Sequence, residues 1–287
     1  MSEQSLPDQE LRNAALREVV IEPTRGIARL KIKAVWQYRE LLGFLIWRDL
    51  KVRYKQTALG AGWVLLQPIL ATLIFTVVFG RLAGIPSDGV PYPLFAFSGL
   101  LAWNYFAGAL TRSGTGLIQN VNLVTKVYFP RLIIPIAGVL AGLVDFAIAF
   151  VTFLALLLIY GIPPAWKILL VPAFLLISIL AAFGASLWLS ALSVRYRDVN
   201  HLLPFLIQVW MYATPVVYPA SLFPTRWRPL LGLNPMAGIV EGFRWALVGE
   251  TAFPGSLLLI SIVTALLLVI SGLMFFSTAE RAFADII

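Results

Sequence analysis

An all-helical protein that crosses a membrane several times is the fold class this sequence predicts, and three observations predict it. Hydrophobic residues fill 60% of the 287 positions and charged ones only 13%, about half the charged share of a water-soluble domain. The mean hydropathy is +0.86. Apolar runs of 22 to 35 residues recur along the chain, each long enough for a span of about 20 residues. This composition excludes disorder, collagen, coiled coil and an ordinary soluble enzyme, which would lack the polar surface to wrap such a core.

The elements follow in order. Residues 1–34 are polar and of mixed charge, with no apolar stretch of the kind a cleaved signal peptide carries. They read as a cytoplasmic tail. Residues 35–56 read as an interfacial amphipathic helix along the inner leaflet: Tyr38, Leu41, Leu42, Leu45 and Ile46 recur at helical spacing. Arg48, Lys51, Arg53 and Lys55 give it a basic side. An anchor and a docking surface both fit it. Residues 57–287 form the transmembrane domain. Charge-free or nearly charge-free runs place six spans near 58–80, 93–111, 133–160, 168–194, 202–218 and 256–276. The fifth is interrupted by Pro204 and Pro215.

The segment 219–255 is long for a loop. Asn234 and Pro235 read as an N-cap followed by proline at the first helical position, and Gly249 as the stop. Met236, Ile239, Val240, Phe243 and Leu247 form one face, with Glu241 and Arg244 three apart on another. A helix of about 14 residues, roughly 21 Å, is too short to cross. With residues 226–232 it predicts two short re-entrant helices at the outer side, where backbone must be buried in protein or line a cavity.

Charge sets the orientation. Six spans place both termini on one side, and the segments on that side hold 17 of the 22 Lys and Arg. The other side holds Arg81, Lys167, Arg226, Arg228 and Arg244. The positive-inside rule therefore puts both termini of a multi-pass protein in the cytoplasm.

Much chemistry is missing. There is no cysteine and one histidine, His201, too few for a Cys- or His-based metal site. HExxH, GxSxG, CxxC and GxxxxGK[ST] do not occur, so no catalytic residue and no phosphate-binding loop is assigned. Asp145 is the one acid inside an expected span. It reads as a protonated or hydrogen-bonded residue at a helix contact, near Gly142 or Thr152, in preference to a proton relay. Amides and aromatics within spans are candidates for a conduit: Trp63 and Gln67 in the first, Tyr105 beside Asn104 in the second, Gln208 and Tyr212 in the fifth. Interfacial belts and ordinary packing account for about half of the span aromatics and amides, a set that also includes Trp103, Phe106, Trp210 and Tyr218.

Four strings carry a family resemblance. Arg48-Asp-Leu-Lys-Val-Arg-Tyr-Lys-Gln-Thr-Ala-Leu-Gly-Ala-Gly-Trp63, followed by Gln67-Pro68, resembles the approach to the first span in ABC-2 type permeases. Leu123-Val-Thr-Lys-Val-Tyr-Phe-Pro-Arg131 is similar to their cytoplasmic segment between spans two and three, and Arg195-Tyr-Arg-Asp-Val199 to the turn after span four. Asn234-Pro-Met-Ala-Gly-Ile-Val-Glu-Gly-Phe-Arg-Trp-Ala-Leu-Val-Gly249 resembles the outer re-entrant segment of the polysaccharide-export branch. The likeness runs from about residue 35 to the C-terminus.

The resemblance implies a homodimeric pore, two ATP-binding cassette subunits that hold ATP and Mg, and outward movement of a lipid-linked polysaccharide. This chain itself then needs no cofactor and no nucleic acid. Asn122, Leu123, Lys126, Tyr128, Phe129 and Arg131 are the expected coupling segment, with the two aromatics filling a groove on the ATPase. Arg195, Arg197 and Asp198 are a second contact or an end-of-helix charge cluster. Two rivals remain: an exporter of a drug or small lipid, and a membrane-embedded sugar-transferring enzyme. The enzyme needs an outer base or nucleophile, and the outer segments offer only Asp88, Glu241 and Glu250, with no histidine.

Overall fold

The computed structural model describes residues 32–55, 62–196, 198–249, 252–280 and 283. Regular structure among them is helical throughout. The α-helices are α1 (Ile32–Gln37), α2 (Arg39–Lys55), α3 (Gly62–Phe75), α4 (Tyr92–Gln119), α5 (Val121–Lys126), α6 (Ile133–Ile159), α7 (Val171–Arg195), α8 (Asp198–Tyr212), α9 (Pro235–Val248) and α10 (Gly255–Ala279). A π-helical turn, Thr76–Leu82, extends α3, and a 3-10 turn, Trp166–Leu170, leads into α7.

Among the described residues, five helices are long and apolar enough to cross a membrane: Gly62–Leu82, Tyr92–Gln119, Ile133–Ile159, Trp166–Arg195 and Gly255–Ala279. The chain is thus a multi-pass helical membrane protein. Two expectations change. The second span runs eight residues past its expected end at Thr111, because Arg112 is accommodated inside the protein rather than at the water boundary. The fifth segment is helical only over Asp198–Tyr212, 15 residues. That is about 22 Å, short of a core of about 30 Å. The chain completes that passage as turns over 213–218, where Thr214, Pro215, Val216 and Val217 are buried.

Helix α4 is the centre of the bundle. In its most apolar window 78% of residues are buried, against 11–39% for the other four spans. It packs against α6, α7, α9, α3 and α8. Without a hydrophobic drive between helices in lipid, small residues must let backbones approach. Gly138 on α6 sits so close to Ser113 of α4 that a Cβ there would stand 2.6 Å from its Oγ. The α7–α10 crossing is tighter still: a Cβ on Gly184 would lie 2.6 Å from the Leu268 carbonyl carbon, and one on Gly272 would lie 2.6 Å from the Gly184 oxygen.

The two ends of the bundle differ. One end gathers Leu45 of α2, Leu117 of α4, Val124 of α5, Phe129, Ile133 of α6, Val194 of α7 and Phe276 of α10 into one apolar cluster. This is also the end rich in Arg and Lys. At the opposite end Tyr92 donates to the Val217 carbonyl at 2.7 Å and Lys167 to the Gly249 carbonyl at 2.8 Å. The passage from Arg195 through α8 to Val217 therefore runs from the basic end to the opposite one, and α10 runs back.

Candidate functional site

Helix α2 carries the expected apolar face, but that face does not meet lipid. Tyr38, Leu41, Leu42, Leu45 and Ile46 pack into the basic-end cluster of the protein's own helices. The outward face presents Phe44 and Trp47, with the Lys51 ammonium 4.3 Å from the Trp47 ring centroid, and Trp36 of α1 is exposed as well. Lys55 is exposed beside it.

The last turns of α2 are tied to the bundle by charge. Arg48 donates to Asn120 Oδ1 at 2.7 Å and pairs with Asp49 at 2.9 Å. Arg53 and Tyr54 both donate to the Asp145 carboxylate, one to each oxygen. Arg112 of α4 reaches the same carboxylate at 3.4 Å and donates through Nε to the Gly138 carbonyl at 2.9 Å. Gly142 makes this possible, since a Cβ there would collide with the Arg112 guanidinium. Burial and the hydrogen bond to Asp145 push the Tyr54 hydroxyl up to about 12, so it remains a donor. Asp145 is therefore the expected hydrogen-bonded residue at a helix contact, with Gly142 beside its partner Arg112, and it is ion-paired to two helices besides its own. Thr152 instead donates to the Ile148 carbonyl. Two guanidiniums on one carboxylate leave a net positive charge. It borders a cleft of about 370 Å³ between α2, α4 and α6, lined by Arg48, Arg53, Arg112, Gln119 and Asn120 among others.

The expected coupling residues divide. Asn122, Lys126 and Tyr128 are exposed, Tyr128 at 67%, and Leu123 is half-buried. Phe129 is 5% exposed. It belongs to the basic-end cluster and cannot fill a partner's groove, because the turn at Pro130 folds it under α6. Arg131 donates to the Glu280 carbonyl at 2.6 Å and lies 5.7 Å from the Phe283 ring, stapling α6 to the end of α10. Arg195 and Asp198 are exposed at the same end; Arg197 lies outside the described residues.

Of the conduit candidates, Trp63, Gln67, Gln208 and Tyr212 are exposed on α3 and α8, the two helices that flank α4. Tyr105 is not with them. It is 3% exposed, meets Phe146 edge-on and donates weakly to the Val139 carbonyl at 3.4 Å. Sequence reasoning missed the exposed polar side of α4 itself, though Thr111, Thr115 and Gln119 at spacings of four were a readable signal.

The short helix expected within 219–255 forms as its caps dictate. The Asn234 side chain accepts from the Met236 N–H at 3.1 Å, Pro235 opens α9, and Gly249 ends it at φ 79°. Asn234 also ties the segment to α8, accepting from Trp210 Nε1 at 2.9 Å and donating to Thr214 Oγ1 at 2.8 Å. Helix α9 is buried on all sides, so Glu241 and Arg244 do not form a wet face. Arg244 is fully buried and pairs with Glu241 at 2.8 Å. It donates to the Pro215 and Val216 carbonyls at 3.0 and 3.1 Å, and its guanidinium carbon lies 3.7 Å from the Phe95 ring centroid. Glu241 accepts from the Ala220 N–H at 2.8 Å. This pair thus satisfies the non-helical backbone that completes the α8 passage.

Such a bundle, with ion pairs inside it, one strongly basic end and a short, buried, capped helix at the other, defines a multi-pass helical membrane protein. Residues 40–248 match the ABC-2 type transporter family, and the chain belongs to it. It is 31% identical to an O-antigen export system permease protein of Myxococcus xanthus, across 87% of this chain and 96% of that protein. A protein of the same description from Klebsiella pneumoniae is 28% identical over 86% and 95% of the two chains. A polysialic acid transport protein of Escherichia coli is 24% identical over 83% and 93%.

The Arg244 arrangement makes a graded prediction. Arg244→Leu strands Glu241 in a dry site and should lower stability by about 3–5 kcal/mol, as removal of one member of a buried pair does. Glu241→Leu with Arg244→Leu should lose less than Arg244→Leu alone. Chemical unfolding in detergent reads the difference, and equal losses would show that the pair is not coupled.

Proposed function

We propose that this chain is the permease subunit of an ATP-driven exporter that carries a lipid-linked polysaccharide outward across the bacterial inner membrane. The near end-to-end match to an O-antigen export permease carries the reading. Four further relatives at 23–28% identity over comparable lengths carry names of the same export or polysaccharide-transport kind. In this reading the chain forms a homodimer and two ATP-binding subunits dock on its basic end. ATP and Mg are bound by those subunits, consistent with the lack of a GxxxxGK[ST] loop in the sequence. The chain crosses six times, with α8 and residues 213–218 together as the fifth crossing, and both termini are cytoplasmic. Helix α2 lies at the inner leaflet with its Trp and Lys face outward. Tyr128, Lys126 and Asn122, with Arg195 and Asp198, supply the ATPase contact, and Trp63, Gln67, Gln208 and Tyr212 line the route.

Deleting the gene in its own host should abolish the surface polysaccharide, and a plasmid copy should restore it only when the ATP-binding subunit is present. Tyr128→Ala should weaken co-purification of that subunit by about 1–2 kcal/mol, roughly tenfold in affinity, with the yield of folded permease unchanged. Undiminished polysaccharide in the deletion would overturn the reading; undiminished co-purification would remove Tyr128 from the contact.

Topology is tested against a clean background, because the chain has no cysteine. Thr225→Cys should react with an impermeant thiol reagent in intact spheroplasts. Thr125→Cys and Thr278→Cys should react only after permeabilisation. The inverse pattern would reverse the orientation.

A further inference from the structure

The uncovered face of α4 is polar. Thr111 and Gln119 are exposed, and Asn104, Gly108 and Thr115 are half-buried. Steps of four, three, four and four residues place them in one stripe, about 22 Å long at 1.5 Å per residue. The other faces of α4 are occupied. Gly116 and Arg112 meet α6, while Phe106 packs edge-on against Trp210 of α8 at 5.0 Å. The stripe lies between those contacts.

Its side chains are uncharged and rich in hydrogen-bonding groups, and the Arg112 guanidinium lies beside Gly108, 2.9 Å from where a Cβ would stand. Thr111 donates to the Ala107 carbonyl and Thr115 to the Thr111 carbonyl, each at 2.9 Å. Gln119 Nε2 donates to Thr115 Oγ1 at 3.0 Å. The Thr111 hydroxyl oxygen and the Gln119 carbonyl remain open as acceptors. Asn104 has no hydrogen-bond partner among the described residues. It stands about 18 Å from the start of α4 and about 22 Å from its end, far from water at either side of a membrane. An unpaired amide there is unfavourable against hydrocarbon. Its neighbour must therefore be polar. At the basic end the stripe opens into the arginine-lined cleft, because Gln119 lines both.

We propose that this stripe is a binding track for the hydroxyl groups of the transported glycan, an inference that rests on the polysaccharide-export reading. Lipid tails offer Asn104 no partner. A polyhydroxylated chain offers a donor or acceptor at every sugar, and uncharged amides and hydroxyls, about 6 Å apart from Thr111 to Gln119 and about 10.5 Å from Asn104 to Thr111, exchange hydrogen bonds with it one after another. The Arg112 charge beside Gly108 is already paired with Asp145, so no sugar is held by an unpaired charge and the polymer advances without a deep trap. The arginines at the base of the track stand at its cytoplasmic mouth.

The test uses the full exporter in its own host. Thr111→Cys, Thr115→Cys and Asn104→Cys should react with a hydrophilic methanethiosulfonate reagent in the assembled exporter. Val151→Cys and Leu267→Cys, exposed on the apolar outer faces of α6 and α10, should not. Thr111→Val with Thr115→Val keeps side-chain shape and should lower surface polysaccharide per assembled exporter several-fold, whereas Thr111→Ser with Thr115→Ser should retain it. Unreactive stripe cysteines, as for a face covered by lipid or a second copy, overturn the proposal. So does an unchanged amount of polysaccharide per exporter in the valine variant. Failure of the wild-type chain to restore polysaccharide defeats the export reading itself, and the track with it.

Discussion

The Asp145 carboxylate and the groups that neutralise it fix the lower half of this molecule. A charge near the middle of a membrane helix needs a partner, and here the partners come from two other elements. Arg112 arrives from α4 through the space left by Gly142, and Arg53 with Tyr54 arrives from α2. Because Arg53 and Tyr54 sit in the last turn of α2, the pairing sets how that helix lies along α6. It also holds open the cleft between α2, α4 and α6. Interhelical hydrogen bonds in membranes average only about 0.6 kcal/mol. Stranding one member of a buried ion pair costs about 3–5 kcal/mol. Position in this bundle is therefore decided by the charged clusters and by glycine contacts, with ordinary hydrogen bonds filling in.

Arg244 does the same at the other end. The chain leaves helical geometry after Tyr212 and does not recover it before Ala220. Irregular backbone at this depth is tolerated only inside protein. Arg244 supplies donors to two of its carbonyls and Glu241 an acceptor for the Ala220 N–H. The short α9 exists to carry those two side chains, and its own caps, Asn234 and Gly249, keep it at the length that places them.

Much of this was legible in the sequence, for a physical reason: membrane solvent demands long apolar runs, so four span boundaries and both α9 caps can be read directly. What was not legible depends on partners far along the chain. Arg53 and Asp145 are 92 positions apart, and nothing local to Asp145 announces that pairing. Arg112 looked like the end of a span because a charge usually is one. The periodicity of α2 identified an apolar face correctly but not its neighbour, which is protein instead of lipid. Phe129 read as a surface anchor beside Tyr128, whereas adjacent residues after a short helix point to opposite sides and only one stays outside. Tyr105 was grouped with the conduit by residue type alone, while the uncovered side of α4 lies one turn of the wheel away, at Asn104 and Thr111.

An exporter with this plan needs an end for its motor, an opening for its cargo and a wall that a polar chain can follow. Under the proposed export function the basic end meets the motor while the cleft beside α2 and the polar side of α4 meet the cargo, and the cleft depends on α2 being held where Asp145 holds it. Hydrogen exchange measured by mass spectrometry on the Asp145→Asn variant tests this most directly. The amide keeps the side-chain size and removes the charge. Backbone exchange over 48–55 should accelerate at least about tenfold, the equivalent of roughly 1.4 kcal/mol, while the buried outer half of α4 retains its protection. Unchanged exchange in the last turns of α2 would contradict the account.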